Sequence, residues 1–327
     1  MTEKTFREYT PSQGKDYASH RYDYHPALYN TVIAHHTATG GRLDSLVDVG
    51  CGPGNVARHL SRYFTHTIGL DPSEGMIETA REISNTVPNI NTNTNINTKI
   101  NANVDINANT NKEKEIRFEI STAESLGSTL PSPIQPNSID LITAATAAHW
   151  FDMPSFWKSA ARALKPSGSV IIWGSGNLRV DAESPNAGPI QARIDQFEED
   201  ISPYFLHGNV LTRGLYKELG MPWSVQPRVE GFDEGRFLRK DWDDTSEFFE
   251  MGVPEVSVGV LERMLGTMSP VTRWREEHPG HVGEEDICRV FRRDVERLLR
   301  EGGMREGEER LKGSAQGFML VVKRDSL

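Results

Sequence analysis

Three things are scarce in this 327-residue chain, and each scarcity excludes a class of protein. Only two cysteines are present, Cys51 and Cys288, and they lie far apart, so neither a disulfide framework nor a cysteine zinc site is indicated. No apolar run approaches the roughly 20 residues that span a bilayer. The polar start, Met-Thr-Glu-Lys-Thr, lacks the apolar core of a secretion signal. We therefore expect a soluble, cytoplasmic protein.

Positive charge is the third deficit, because 36 Lys and Arg stand against 46 Asp and Glu, a formal net charge of −10. Nonspecific binding to nucleic acid depends on a basic face. The charge balance therefore favours a small molecule over nucleic acid as the partner. The hydrophobic content of 37% is that of a globular protein, long enough for one large domain with an added cap or for two small domains. We expect a monomer or a homodimer.

The most informative stretch is residues 46–54, Leu-Val-Asp-Val-Gly-Cys-Gly-Pro-Gly. Its apolar residues predict a buried strand. Gly50, Gly52 and Gly54 then permit a sharp turn and let the backbone approach a ligand closely. Cys51 is expected to be a small residue inside this turn, and a helix should start near Pro53. The stretch thus predicts a glycine-rich βα turn that binds a nucleotide-like ligand.

The spacing of the glycines indicates which ligand. A dinucleotide fingerprint, G-x-G-x-x-G, would need a glycine where this chain has Asn55, and Pro53 removes an N–H that could hold a pyrophosphate. Asp48, at the end of the strand, would repel a diphosphate and attract a cation. S-adenosylmethionine has no phosphate and carries an ammonium and a sulfonium. The turn therefore favours this cofactor over NAD, and the alternative is a tight βα turn without a ligand.

Further cofactor contacts are predicted downstream of the turn. Asp71 lies about 20 positions beyond it, where an acidic residue binds ribose hydroxyls in this architecture. Met76 is placed to lie against the adenine or, alternatively, in the core. Ala123 and Glu124 follow a predicted strand and are expected to border the adenine. Ala145 belongs to a run of small residues that would let the backbone pass beside the methionine portion.

Aromatic and cationic side chains are concentrated in the leader before a predicted helix, Ala27 to His36. Arg21 is predicted to pair with the methionine carboxylate, a contact suited to a guanidinium group. Tyr17 is a candidate substrate contact. The alternative is that the leader packs its tyrosines on the domain.

The segment His149-Trp150 follows the predicted strand Ile139 to Thr143 and would project where a substrate stacks or hydrogen-bonds. If the substrate presents a hydroxyl or phenol, His149 is the candidate general base. The alternative is a structural histidine beside a core tryptophan.

Residues 88–114 are dominated by asparagine alternating with Thr, Ile, Ala and Val. Asparagine disfavours strands, so this composition predicts a disordered, low-complexity insertion. Loops lengthen at little cost in closure entropy. We therefore expect deletion of residues 90–112 to leave folding and activity nearly intact.

Strands alternating with helices predict an α/β fold, a doubly wound, seven-stranded, mostly parallel sheet with a largely helical cap. Ligands of such sheets bind at the carboxyl ends of the strands. The cap should contain a strand near Val225–Phe232, and the last strand, Gly317 to Lys323, should be antiparallel. The predicted division is 1–44 for a helical leader or lid, 45–173 for the cofactor-binding core, 174–283 for the cap and 284–327 for the final helix and strand.

This ordered set of motifs resembles the class I S-adenosylmethionine-dependent methyltransferases, which implies a Rossmann-like fold and that cofactor. The motifs are Asp48-Val49-Gly50-Cys51-Gly52-Pro53-Gly54, Asp71, Ala123-Glu124, Ala148-His149-Trp150-Phe151-Asp152 and Leu164-Lys165-Pro166-Ser167-Gly168. The leader, the H-W-F-D segment and scattered cap residues are similar to fungal small-molecule methyltransferases of the trans-aconitate 3-methyltransferase group.

The second resemblance implies O-methylation of a carboxylate on a small acidic molecule. Under that interpretation Arg21, Arg179 or Arg273 would hold the other carboxylates, with His149 and Trp150 lining the pocket. Two alternatives remain at this point: an O-methyltransferase of a phenolic or other secondary metabolite, and a noncatalytic module that binds S-adenosylmethionine.

Overall fold

The computed structural model describes residues 7, 9–20, 23–86, 115–243, 246–249 and 255–326. Two of the predictions fall outside these ranges. They are the asparagine-rich insertion at 88–114 and the role of Arg21 in the leader.

Within the described ranges, eight strands form one sheet in the order β3-β2-β1-β4-β5-β8-β6, and β7 pairs with β8. The strands are β1 Ser45–Val49, β2 His66–Asp71, β3 Ile116–Ile120, β4 Ile139–Ala145, β5 Leu164–Val180, β6 Leu238–Trp242, β7 Glu255–Ser257 and β8 Arg310–Lys323. Strands β1 to β5 run parallel to one another. Strand β8 is antiparallel to β5, β6 and β7. The doubly wound, mostly parallel sheet is confirmed, with one strand more than the seven predicted.

Ten α-helices accompany these strands in the part of the chain that the structure describes. They are α1 Pro11–His20, α2 Pro26–Ala38, α3 Asn55–Ser61, α4 Glu74–Thr86, α5 Met153–Ala163, α6 Ala187–Ile201, α7 His207–Arg213, α8 Val258–Gly266, α9 Ser269–Glu277 and α10 Ile287–Glu301. None of these described helices has the length and apolar character needed to cross a bilayer.

The strand residues alternate between two cores, as the pleat of a sheet buried on both faces requires. On β5, Val170 and Ile172 face a core that includes Phe156 and Trp157 of α5. Ile171 and Trp173 face the opposite core, which includes apolar residues of α2 and α3. Helices on both faces thus bury the sheet and fix the positions of its strand ends.

A third apolar cluster joins α6, α8, α9 and α10 with β8, through residues such as Ile194, Leu261, Val271, Phe291 and Leu311. The mainly helical character predicted for the stretch after Trp173 agrees with these elements. Helix α10 packs with α6 and α8 in this cluster, and the domain boundaries drawn from the sequence stay a prediction.

The strand predicted near Val225–Phe232 is wrong. That stretch contains Pro227, which has no backbone N–H for a ladder, and only Phe232 makes an isolated bridge, with Arg324. The strand that pairs with β8 on this side is β6, later in the chain. In the cap, the short strand β7 is followed directly by α8, which begins at Val258.

Candidate cofactor and acceptor site

The glycine turn between β1 and α3 has the geometry that its sequence predicts. Gly50, Gly52 and Gly54 have φ of 65°, 52° and 87°, in the left-handed region that disfavours other residues. A Cβ at Gly50 would lie 2.5 Å from the Cβ of Ala147, whereas a Cβ at Gly52 would meet no atom within 4 Å. Gly50 is therefore required by packing inside the protein, and Gly52 faces open space that a ligand can occupy.

Cys51 is a packed residue of this turn, as expected. It is 8% exposed and belongs to a small cluster with Ile77 and Phe118, while its backbone N–H donates to the carbonyl of Leu70 at 3.0 Å. Burial raises the pKa of its thiol well above the usual value, and the charges of Asp71 and Asp48 add to the effect. A protonated, buried thiol is a packing group and a poor nucleophile.

Asp71, the last residue of β2, fastens the glycine turn to the start of α4. Its Oδ2 accepts the N–H of Gly52 and its Oδ1 accepts the N–H of Ser73, each at 2.9 Å. The side chain of Ser73 in turn accepts the N–H of Met76 at 3.3 Å, so Ser73 caps α4. Burial raises the pKa of Asp71 to about 6, opposed by the hydrogen bonds from Ser73 and Gly52. Its contact with ribose stays a prediction.

Asp48 is buried on β1, with 1% of its surface exposed. The hydroxyl of Thr143 on β4 donates to Oδ1 at 2.8 Å. Oδ2 has no hydrogen-bond partner of good geometry among the described residues, although the backbone N–H of Ala57 in α3 interacts with this carboxylate and opposes the rise of its pKa. Burial raises the pKa of Asp48 to about 7, and the nearby charge of Asp71 contributes in the same direction. A buried carboxylate oxygen without a partner is a group that a cationic ligand would stabilise.

The predicted adenine contacts occupy packed positions. Met76 is 3% exposed and Ala123 is 5% exposed. The carboxylate of Glu124 accepts the N–H of Asp152 at 2.9 Å, and the carbonyl of Glu124 accepts the hydroxyl of Ser159. Glu124 thus fixes the start of α5 relative to the end of β3, and any role in binding adenine stays a prediction.

The carboxyl end of β4 forms the other side of the site. Ala145 pairs with Trp173 on β5, and the next residue, Thr146, has a left-handed φ of 49°. The hydroxyls of Tyr24 and Thr146 lie 3.0 Å apart. Tyr24, which precedes α2, also stacks on Phe249. The leader therefore packs against the end of β4.

His149 lies in a short 3₁₀ turn, Ala148–Trp150, that follows β4. Its Nδ1 is hydrogen-bonded to the hydroxyl of Tyr216, which also accepts the backbone N–H of His149 at 3.3 Å. The ring of Trp150 lies 4.5 Å from that of His149. A Cβ at Gly208 of α7 would come within 2.6 Å of the Trp150 ring and of the His149 carbonyl oxygen. Helix α7 therefore covers this turn.

Burial lowers the pKa of His149 to about 3. Burial also raises the pKa of Tyr216 far above its usual value. At neutral pH both groups are therefore uncharged, and they act in the site through hydrogen bonds.

Three residues that the sequence predicts to contact the acceptor make other contacts or lie in other parts of the structure. The guanidinium of Arg273 donates to the carbonyl of Tyr204 at 2.8 Å and to Oδ1 of Asn209 at 2.7 Å, so it supports α7. Arg179 is exposed near the outer end of β5. Tyr17 lines a cavity of about 230 Å³ between α1 and the α8–α9 segment. Their contacts with substrate stay predictions.

Three residues of this edge were not predicted as site residues from the sequence: Thr143, Tyr216 and Tyr24. Thr143 could have been found, because parallel register places it beside Asp48. Tyr216 carries no local signal, since its partner His149 is far away in the chain.

The edge of the sheet formed by the carboxyl ends of the parallel strands suits a ligand that carries a positive charge. The open space over Gly52 admits a ligand close to the backbone, and the unpaired oxygen of Asp48 attracts a cation. A phosphate would gain nothing from that carboxylate. The protein's own residues therefore fit a sulfonium cofactor.

Comparison with known proteins agrees with this geometry. Residues 47–172 match the family model described as a methyltransferase domain. A methyltransferase of Dictyostelium discoideum is 30% identical over 270 residues, which cover 78% of this chain and 84% of the relative. An S-adenosylmethionine-dependent methyltransferase of Saccharomyces cerevisiae is 27% identical over 192 residues, 59% of this chain, and the match spans 50% of its own length. The names of both relatives leave the methyl acceptor open.

The fold is also found among solved structures. A type II methyltransferase from Anaeromyxobacter dehalogenans superposes with a TM-score of 0.54 at 18% identity, covering 94% of this chain and 97% of that one. At this identity the likeness concerns the fold alone. The shared fold and the family match agree with the observed sheet order and with the glycine turn. The chain belongs to the class I S-adenosylmethionine-dependent methyltransferases, and S-adenosylmethionine is its cofactor.

Proposed function

We propose that this methyltransferase acts on a small molecule and transfers the methyl group to a carboxylate oxygen, with a trans-aconitate-like acid as the acceptor. The observation that carries the proposal is the environment of His149, whose Nδ1 is already hydrogen-bonded to the buried hydroxyl of Tyr216. This ring is the basic side chain that the described structure places at the carboxyl end of β4, and burial lowers its pKa to about 3.

The chemistry of the acceptor explains why that pKa matters. Methyl transfer from a sulfonium is an in-line displacement, in which the protein aligns the acceptor and excludes water. A carboxylate is already ionised at neutral pH, whereas a phenol has a pKa near 10 and must lose its proton. General bases work best when their pKa lies near the operating pH. His149 is therefore poorly suited to deprotonate a phenol, and a carboxylate needs no such step.

The acceptor would lie beside Trp150, against the wall formed by α7. Arg273 supports this wall indirectly, since it holds Asn209, the neighbour of Gly208 in α7. The cation that pairs with a second carboxylate of the substrate stays a prediction. Arg21 and Arg179 are the other candidates.

A phenolic acceptor is the second candidate function, and the aromatic surroundings favour it. Tyr24 and Trp150 both lie at the carboxyl end of β4. An aromatic acceptor could stack on such rings. In that case His149 would have to serve as the base despite its burial.

The deciding experiment uses methyl-labelled cofactor with a panel of di- and tricarboxylic acids and phenols. We expect label in the acids and its release as methanol by mild alkali, because methyl esters hydrolyse and aryl methyl ethers do not. Label that enters only phenols, or only protein or nucleic acid, would overturn the proposal.

A His149→Ala variant sharpens the distinction. With a carboxylate the loss should be about tenfold, the lower end of the range for one hydrogen bond to a charged group. Loss of a general base costs about 10² to 10⁴. His66→Ala is the matched control, since His66 is exposed at the start of β2.

A further inference from the structure

Tyr216 is a buried tyrosine whose hydroxyl is directed at His149, and the family resemblance assigns it no role. It is 2% exposed and packs on the ring of Phe318. It follows α7, and both Leu215 and Tyr216 have left-handed φ, 54° and 55°. Glycine usually occupies such positions after a helix, because a Cβ makes them unfavourable. Strained backbone that holds a polar group in place points to a functional constraint.

The hydrogen bonds between the two residues fix the position of the protons. The backbone N–H of His149 can only donate, so the Tyr216 oxygen accepts it. The same hydroxyl is hydrogen-bonded to Nδ1 of His149 and to the side chain of Thr212. The Thr212 hydroxyl, which donates to the carbonyl of Gly208, could also accept the phenol proton, but an imidazole nitrogen is far more basic than an aliphatic hydroxyl and is the stronger acceptor. Tyr216 therefore donates to Nδ1, and the neutral ring carries its proton on Nε2.

The Nε2 edge of His149 remains accessible. His149 is enclosed closely enough for desolvation to lower its pKa, yet part of its surface is exposed. Nε2 has no hydrogen-bond partner among the described residues, and it is not one of their buried unpaired atoms, so it keeps some contact with solvent. The Nδ1 edge faces Tyr216 in the interior. The ring thus presents an N–H donor to the space beside Trp150.

We propose that Tyr216 is a positioning residue that holds His149 in the Nε2–H tautomer, so that His149 donates a hydrogen bond to an anionic methyl acceptor. This inference rests on the proposed carboxylate acceptor and deepens it. An N–H donor stabilises and orients a carboxylate oxygen. A phenol would meet a donor where it needs a proton acceptor, so the same tautomer selects against phenols.

The tautomer can be measured without cofactor or acceptor. Protein labelled with ¹⁵N-histidine is examined by NMR at pH 7, and His149→Gln identifies the signals of His149. We expect the Nε2–H pattern in the wild type and a mixture of tautomers in Tyr216→Phe. Tyr63→Phe is the matched control, because it removes a hydroxyl that is hydrogen-bonded to Asn30, away from His149. An Nδ1–H tautomer or an imidazolium in the wild type would overturn the proposal, and so would unchanged tautomers in Tyr216→Phe.

Turnover of three variants tests the donor role. The amide N–H of glutamine in His149→Gln reaches about as far as Nε2–H, whereas asparagine in His149→Asn reaches only the Nδ1 position. With a carboxylate acceptor we expect Gln to stay within a few fold of the wild type, and Asn and Ala to lose about tenfold. A Gln variant as impaired as the Ala variant would contradict the donor role.

The two sets of results separate this inference from the proposed function. The Nε2–H tautomer together with label found only in phenols would overturn the carboxylate acceptor and the donor role, and would leave the assignment of Tyr216 standing. A different tautomer together with methylated carboxylates would overturn the role of Tyr216 and leave the function intact.

Discussion

The carboxylate of Asp71 accepts the backbone N–H of Gly52 at 2.9 Å, across the gap between β2 and the glycine turn. The turn is therefore held in shape by the same residue that the sequence predicts to bind ribose. Because the second oxygen accepts the N–H of Ser73, one side chain organises both the turn and the start of α4.

The first prediction follows from this link. Asp71→Asn keeps one acceptor oxygen and replaces the other with a donor, so one of the two N–H groups loses its partner. A charge-assisted hydrogen bond contributes about 1.5–3 kcal/mol, so we expect cofactor affinity to fall about 10- to 100-fold, measured as Kd by calorimetry.

The control for Asp71 is Asp140→Asn. Asp140 is also buried, but it lies at the amino end of β4, where its Oδ2 accepts from Lys165 Nζ at 2.7 Å and from Ser45 N–H at 2.9 Å. This variant should lose stability in urea and keep its cofactor Kd. Equal Kd values for wild type and Asp71→Asn would show that the link is dispensable for binding.

The second prediction concerns the open space over Gly52. Gly52→Ala introduces left-handed strain of about 1–2 kcal/mol and a methyl group where no protein atom lies within 4 Å. Gly283→Ala is the matched control for Gly52→Ala. Gly283 also has a left-handed φ, 60°, and no atom lies within 4 Å of its Cβ position, in an exposed turn before α10.

Both glycine variants should lose similar stability in thermal unfolding. Only Gly52→Ala should lose cofactor binding, because its methyl group occupies the ligand space. If the two variants bound cofactor equally well, the space over Gly52 would not be the cofactor site.

The parts of the fold that the sequence predicts are those governed by local pattern. The strand predicted before Ala123 and Glu124 is β3, Ile116–Ile120, whose apolar residues end at a polar turn. The glycine turn is predicted because glycine adopts its left-handed φ values at the least steric cost. Strand β6, Leu238–Trp242, was missed because Arg239, Lys240 and Asp241 give it no apolar periodicity, and its conformation is set by pairing with β8.

The site was predictable to the extent that its residues carry their own chemical signal. His149 and Trp150 are recognisable beside a strand end. Tyr216 is not, because its hydrogen bond with His149 depends on how α7 packs over the 3₁₀ turn. Contacts between residues so distant in sequence are decided by tertiary packing, which local periodicity does not report.

The third prediction concerns pH. The pKa of Asp48 is about 7 in the folded protein, above its ordinary value of 3.8, mainly because of burial. The folded state therefore holds a proton that the unfolded state has released. This contribution to stability is fully present below about pH 4 and is lost as the pH rises to about 7. Its size is on the order of a few kcal/mol.

The measurement is the difference in free energy of urea unfolding between wild type and Asp48→Asn, without cofactor, from pH 4.5 to 8.5. The wild type should become less stable relative to the variant as the pH rises to about 7, with no further change above. The other ionisable groups are common to both proteins, so their contributions largely cancel in the difference. Thr143→Val removes a hydrogen bond that lowers this pKa, so the plateau should then begin at higher pH. A difference that is independent of pH would exclude a titrating Asp48.

The fourth prediction concerns the contact between α7 and the His149 turn. A Cβ at Gly208 would lie 2.6 Å from the His149 carbonyl oxygen and from the Trp150 ring, so Gly208→Ala must push α7 away from that turn. Because the glycine turn and Asp71 are untouched, we expect cofactor Kd to stay within about twofold while kcat/KM for the acceptor falls at least tenfold, about 1.4 kcal/mol.

Gly188→Ala in α6 is the control, since nothing lies within 4 Å of its Cβ position and alanine favours the helix. It should leave both constants unchanged and raise stability slightly. A Gly208→Ala variant that lost cofactor binding and acceptor turnover in equal measure would show that α7 supports the cofactor site, and would remove it from the acceptor side.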